Sequence, residues 1–370
     1  MQKKRKKKIN SIYIHIPFCR SICPYCDFTK ILKTASFEDL YIEQLEKDLS
    51  LVDSKFCRFN TIYIGGGTPS CLDFQNIEKI LIKAKKFIKK NTEFTFECNI
   101  EDINEKLLNL LKNFGVNRLS IGIQSFKKDT LNLLKRNTEV DYISKIKLAK
   151  IYFSNINVDF IYGLPNETIK DIEDNLNIFL SLDIQHISIY SLTVVPGTIF
   201  YNKKIQELDD DTGLKIYKMI IKKLKDNKFY QYEVSNFSKK GYQSRHNLNY
   251  WNDNYYVGVG LGASGYIDNI RYTNTRNISS YIKGVNILEK EELDLKNEKE
   301  EFLMLNLRKT NGFLVLDYEN RFHQKFFDEY QPIIEDLTKK QLLTCKNRCK
   351  FTRKGFYIQD LLLLKFFDIY

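Results

Sequence analysis

SIYIHIPFCRSICPYCDF, residues 11–28, decides how the rest of the chain is read. Its first half sets Ile12, Ile14 and Ile16 in alternation, the period of a β-strand. Its second half places Cys19, Cys23 and Cys26 in a CxxxCxxC loop directly after that strand. The strand reads as Ser11–Phe18. Five more runs of the same kind follow, at Thr61–Ile64, Phe94–Asn99, Arg118–Gln124, Val158–Tyr162 and His186–Leu192. Lysine-rich segments of helical period lie between them. Phe74–Lys90 carries Ile77, Ile80, Leu81, Ala84 and Ile88 on one face, and Glu105–Phe114 carries Leu107, Leu108, Leu110 and Leu111. Regular alternation of this kind builds right-handed βαβ units and a parallel sheet. Six units over about 190 residues predict an α/β fold, a partial (β/α)6 barrel, with a doubly wound open sheet as the alternative.

The polar motifs fall at the ends of these strands. The cysteine loop follows the first strand, and GGGTP (65–69) ends the second. Glu97, Gln124, Asp159 and Ser191 close the next four. The C-terminal ends of parallel strands are where barrel active sites are built. Near residue 235 the texture changes to a Tyr-, Asn- and Gly-rich stretch that contains Trp251, the only tryptophan. Helical patterns at Glu301–Leu307 and Phe327–Leu337 follow, then a hairpin at Leu342–Phe351 and a terminal helix around 361–364. The expected division is a basic tail at 1–10, a barrel at 11–236 and a smaller, mainly helical domain at 237–370.

Composition narrows the function classes. The chain has 370 residues and a net charge of +12, but residues 3–8 alone supply six positive charges. The body keeps 52 basic against 46 acidic side chains, a net +6, so charge no longer points to nucleic acid. The reading is therefore of no specific nucleic-acid partner. No run is long and apolar enough for a transmembrane segment, and no signal-peptide pattern is present, so a cytoplasmic location is expected. Eight unevenly spaced cysteines in such a chain read as metal ligands rather than disulfides. The CxxxCxxC spacing fits a 4Fe-4S cluster, whose three cysteines would leave one iron open. It also fits a zinc site with His15 as the nearest fourth ligand, or three buried thiols. Cys345 and Cys349 form another CxxxC, which lacks partners.

The motifs together resemble the radical S-adenosylmethionine (SAM) proteins, and within them the oxygen-independent coproporphyrinogen III oxidase group. The resemblance runs through YIHIPFC (13–19), GGGTP, GIQS (122–125), DFIYGLP (159–165), IYSL (189–192) and HNLNYW (246–251), and so covers nearly the whole chain. The oxidases of this group carry a further cysteine two residues after the last ligand, and a longer extension before the loop. Phe28 stands at that position here, and only 18 residues precede Cys19. The sequence is closer to the heme-chaperone branch. That likeness implies a chain that binds heme and passes it to an unidentified acceptor, a respiratory protein among the candidates. It implies no true coproporphyrinogen dehydrogenase. Homodimerisation is left open.

The resemblance also assigns residues. It implies Cys19, Cys23 and Cys26 as ligands of a 4Fe-4S cluster whose fourth iron is chelated by SAM. It implies SAM contacts for Tyr13, Tyr25, Gly66, Gly67, Thr68, Glu97, Gln124, Arg136, Asp159 and Ser191. It implies His246 as the heme ligand, with Tyr250 and Trp251 beside it. Read without the resemblance, the 246–251 stretch is equally a packing element that docks the C-terminal part on the barrel.

Overall fold

The computed structural model describes residues 9–56 and 58–367. The basic run at 3–8 and Cys57 therefore lie outside the described residues. Six parallel strands appear where the alternation places them: β1 (Ser11–Ile16), β2 (Thr61–Gly66), β3 (Glu93–Asn99), β4 (Arg118–Gln124), β5 (Ile156–Tyr162) and β6 (His186–Ser191). Each is followed by a helix: α1 (Ala35–Lys55), α2 (Phe74–Lys85), α3 (Glu105–Asn113), α4 (Tyr142–Tyr152), α5 (Ile169–Ser181) and α6 (Asp210–Asp226). Strands β1 to β6 pair in sequence order, all parallel. These are six consecutive β/α units, and the sheet they form is not closed.

Local chemistry sets the helix limits. Asn104 caps α3 by accepting from Leu107 N, and Thr168 and Asp171 form a reciprocal capping box on α5. Helix α2 stops at Lys85, short of the expected Lys90. Lys86, Phe87 and Ile88 make i→i−3 bonds there, which turn the fully buried Phe87 into the core. Asn91 then takes φ +68° and reverses the chain into β3.

Beyond residue 236 the sheet continues. A short antiparallel pair, β7 (Tyr230–Gln231) and β8 (Asn236–Ser238), extends it past β6. After helix α7 (Arg245–Trp251), strand β9 (Tyr256–Val259) returns to the opposite edge and pairs in parallel with β1. Three antiparallel strands, β10 (Ser264–Ile267), β11 (Ile270–Asn274) and β12 (Ile287–Glu292), complete the sheet.

A separate hydrophobic core gathers residues from Phe302 to Phe366. It is built by α8 (Leu295–Leu307), α9 (Val315–Phe322), α10 (Phe326–Lys339) and α11 (Gln359–Phe367) around a three-stranded sheet. The strands of that sheet are β13 (Phe313–Leu314), β14 (Leu343–Cys345) and β15 (Arg348–Phe351). Cys345 and Cys349 face each other across the β14–β15 hairpin as free thiols. Among the described residues no helix is long and apolar enough to cross a membrane.

Candidate functional site

A cavity of about 450 Å³ fills the inside of the curved sheet. Alternation along the strands explains its polar wall. On β4, Leu119, Ile121 and Ile123 point into the helix layer and are fully buried, so Arg118, Ser120, Gly122 and Gln124 face the cavity. Asn157 and Asp159 from β5, Ser188 and Tyr190 from β6, and Glu97 from β3 do the same.

The cysteine loop lies at the mouth. Ile31 N donates to Pro17 O at 2.8 Å and Lys33 N to Cys19 O at 2.9 Å, which closes the loop back on its own stem. Cys26 N donates to Cys23 O at 3.2 Å, folding the CPYC half into a turn. Thr68 Oγ1 donates to Cys19 Sγ at 3.7 Å. The glycines of 65–67 are needed for room as well as for turning. A Cβ on Gly67 would lie 2.7 Å from Pro17 O and 2.8 Å from Cys19 Sγ, and one on Gly66 would lie 2.6 Å from the His15 ring. Gly67→Ala is therefore expected to displace the Cys19 stem. The check is iron and sulfide content after reconstitution, which should fall at least tenfold while the far-UV spectrum stays unchanged.

Twelve of the fourteen expected site residues wall this one cavity: the three cysteines with Tyr25, Gly66, Gly67, Thr68, Glu97, Gln124, Arg136, Asp159 and Ser191. Glu97 Oε1 accepts from Tyr63 at 2.6 Å and its Oε2 from Gly66 N at 2.9 Å. Burial pushes its carboxyl up to about 7. Asp159 accepts from Asn157 at 2.8 Å and Ser120 at 3.2 Å, and burial raises it too. Gln124 holds φ +69° at a bulge between β4 and β5, a costly backbone state for a residue with a Cβ. Arg136 donates to Asn99 Oδ1 at 2.8 Å, while its buried Nε has no partner.

Tyr13 and His246 do not wall the cavity. The Tyr13 hydroxyl meets His15 Nδ1 at 2.9 Å, while His15 Nε2 donates to Thr29 O at 2.8 Å. Both His15 nitrogens are thus occupied, and it is not poised as a fourth metal ligand beside the cysteines. His246 lies under the cavity floor, 1% exposed, with its ring 4.9 Å from that of Tyr63. Thr61 Oγ1 gives its proton to Ser11, so it accepts from His246 Nδ1 at 2.8 Å. His246 Nε2 then accepts from the Tyr250 hydroxyl at 2.7 Å. Burial holds this histidine neutral, down to about 3. Helix α7 is a plug: its first two amides donate to the Glu93 carboxylate at the start of β3, and its Asn247 reaches the cavity.

Sequence reasoning missed Tyr63, Asn99, Arg118, Ser120, Asn157 and Ser188 in the wall. The signal for Arg118, Ser120 and Asn157 was present as polar residues at every second position of β4 and β5, while Tyr63, Asn99 and Ser188 come from β2, β3 and β6.

The donor set fits an iron–sulfur cluster with SAM. Three thiols share one rim, the glycines clear space beside Cys19, and Arg136 offers an unpartnered buried Nε near them. Burial raises the Cys19 thiol to about 11 and raises that of Cys26 as well, so ligation would replace protons with metal. Among the described residues no three His, Cys, Asp or Glu side chains converge closely enough for a single ion.

Residues 13–178 match the family model described as the radical SAM superfamily, and fold and cavity together define a protein of that class. The chain is 38% identical to the heme chaperone HemW of Lactococcus lactis, over 97% of this chain and 98% of that one. It is 35% identical to HemW of Bacillus subtilis (90% and 93%) and 32% identical to HemW of Escherichia coli (90% and 89%). The chain belongs to the HemW family. Coproporphyrinogen III oxidase (HemN) from Escherichia coli shares its fold, with a TM-score of 0.85 at 20% identity over 98% of this chain and 91% of that chain.

Proposed function

We propose that this protein binds heme and hands it to an acceptor protein, and that it carries a 4Fe-4S cluster on Cys19, Cys23 and Cys26 with SAM beside it. The observation that carries the reading is the shared cavity of twelve expected residues in a chain that matches HemW over nearly its full length. Bound there, cluster and SAM would supply one-electron chemistry at the sulfonium. The chain's own residues orient and shield. Glu97 and Asp159 present acceptors for hydroxyl or amino groups, Arg136 offers an N–H to a carboxylate, and Tyr25 presents a ring beside the loop. Phe28 lies at the mouth, 66% exposed, where the oxidases carry their extra cysteine.

His246 enters this reading only with a change of conformation. Thr61 holds its Nδ1–H, which leaves the Nε2 lone pair as the iron-binding position, and the Tyr250 hydroxyl covers that lone pair. Ligation requires Tyr250 to leave and α7 to open.

The test is an anaerobic hemin titration of the reconstituted protein. Wild type is expected to take up hemin with a Soret band, and His246→Ala to shift that band and weaken binding at least tenfold. Absence of hemin uptake by wild type overturns the function. An unshifted band in a folded His246→Ala overturns only the ligand. Conversion of coproporphyrinogen propionates to vinyl groups with SAM and reductant would replace the chaperone reading with the oxidase one.

A further inference from the structure

The cavity extends well below the motifs assigned to SAM. Arg118, at the start of β4, lines it together with Ser120, Gly122 and Gln124 from the same face. At about 3.3 Å per residue, Arg118 lies about 13 Å back along the strand from Gly122. It is 2% exposed, a full cation inside the fold. Its Nε has no hydrogen-bond partner, and among the described residues no carboxylate forms an ion pair with its guanidinium. Two acids of the cavity wall form their hydrogen bonds elsewhere, Glu97 with Tyr63 and Gly66 and Asp159 with Ser120 and Asn157. Burial raises both carboxyls, and the nearby Arg118 charge works against that rise. A buried cation without direct hydrogen-bonded compensation is costly, and a fold that keeps one at a cavity floor gains when an anion arrives.

We propose that the lower half of this cavity is a second ligand subsite, in which Arg118 receives the carboxylate of a small organic acid or of a carboxylate-bearing arm of a larger molecule. Guanidinium and carboxylate match as planar, two-pronged partners. Ser120, Asn157, Ser188 and Asn247 line the same cavity, the first three linked to one another and to Asp159 by hydrogen bonds. This subsite is distinct from the three-cysteine rim and from Arg136. It goes beyond the heme reading and stands or falls without it.

The probe is sodium propionate, with propionamide as its neutral counterpart at matched ionic strength. The full chain, reconstituted and saturated with SAM, is titrated while the thermal midpoint is followed anaerobically. Propionate is expected to raise the midpoint and propionamide to leave it unchanged. Arg118→Gln should weaken propionate binding at least tenfold, Arg118→Lys should keep part of it, and SAM affinity should stay within twofold in both. The proposal is overturned by a wild type indifferent to propionate, by an equal response to propionamide, or by an Arg118→Gln response equal to wild type. It is also overturned by a tenfold loss of SAM affinity in Arg118→Gln, which would assign the guanidinium to SAM itself. Should Arg118→Gln fail to fold, the acid–amide contrast and Arg118→Lys decide.

Discussion

Cys19→Ser should leave the protein unable to hold the proposed cluster. Reconstituted wild type is expected to hold about four irons and four sulfides per chain, and Cys19→Ser less than a tenth of that. The reason is ligand chemistry. A serine hydroxyl is a hard donor that does not replace a thiolate on iron–sulfur. Cys19 is also the most tightly held of the three, 8% exposed at the foot of the loop, with Thr68 on its sulfur and Gly67 cleared beside it. A loose loop could recruit a substitute ligand, but this one is tied to its stem by the Ile31 and Lys33 amides. Cys345→Ser, in the β14–β15 hairpin, serves as the control and should leave iron content unchanged. The measurement is iron and acid-labile sulfide per chain, read with the broad visible absorption of the cluster. Zinc without sulfide in the wild-type protein would defeat the assignment outright.

The strands of the barrel were legible because each sets apolar residues at every second position, with polar, small or aromatic residues between them, which is a clear period of two. Arg118–Gln124 was read to the residue. The site was legible at the strand ends, where glycines and isolated polar groups interrupt apolar runs. Three things were not. Strand β9 closes on β1 from about 240 residues away in sequence, and no local pattern names a partner at that distance. Helix α7 reads as polar and aromatic, which suits a ligand site as well as a plug. Only the bonds of Glu93, Thr61 and Tyr250 show that its histidine is covered. Tyr13 sits in the motif that carries the resemblance, yet its hydroxyl goes to His15 and not into the cavity. Motif membership locates a residue near the chemistry, and side-chain direction then decides whether it takes part.

Glu233→Gln should stabilise the protein at pH 8 and do almost nothing at pH 4. Glu233 lies between β7 and β8, where its backbone bridges to Lys309 at the join of the two hydrophobic cores. It is 1% exposed. Its Oε2 accepts from Ser235 N at 3.2 Å, while Oε1 is buried with no partner. Burial is the main reason its carboxyl is pushed up to about 7, against which the Ser235 and Asn236 groups work only in part. In the unfolded chain the same carboxyl titrates near 4.5. Between these two values the folded state holds a proton that the unfolded state has lost. Stability therefore falls as pH rises from about 4.5 to about 7, and the full penalty is present above that. A difference of this size corresponds to about 3 kcal/mol. Glutamine keeps the shape and an acceptor without the charge, so the variant escapes the penalty. Lys309 does not rescue the wild type: it is itself held down to about 8 by burial, and its Nζ donates to Asn306 at 2.8 Å. Glu97 and Glu167, both pushed up to about 7 by burial, produce the same slope in both proteins and cancel in the comparison. The measurement is the urea midpoint of each protein from pH 4 to pH 8. A gap that opens through that window and levels off above 7 supports the assignment. A gap of constant size would mean that glutamine improves packing instead, and the junction between the cores would then carry no proton-linked strain.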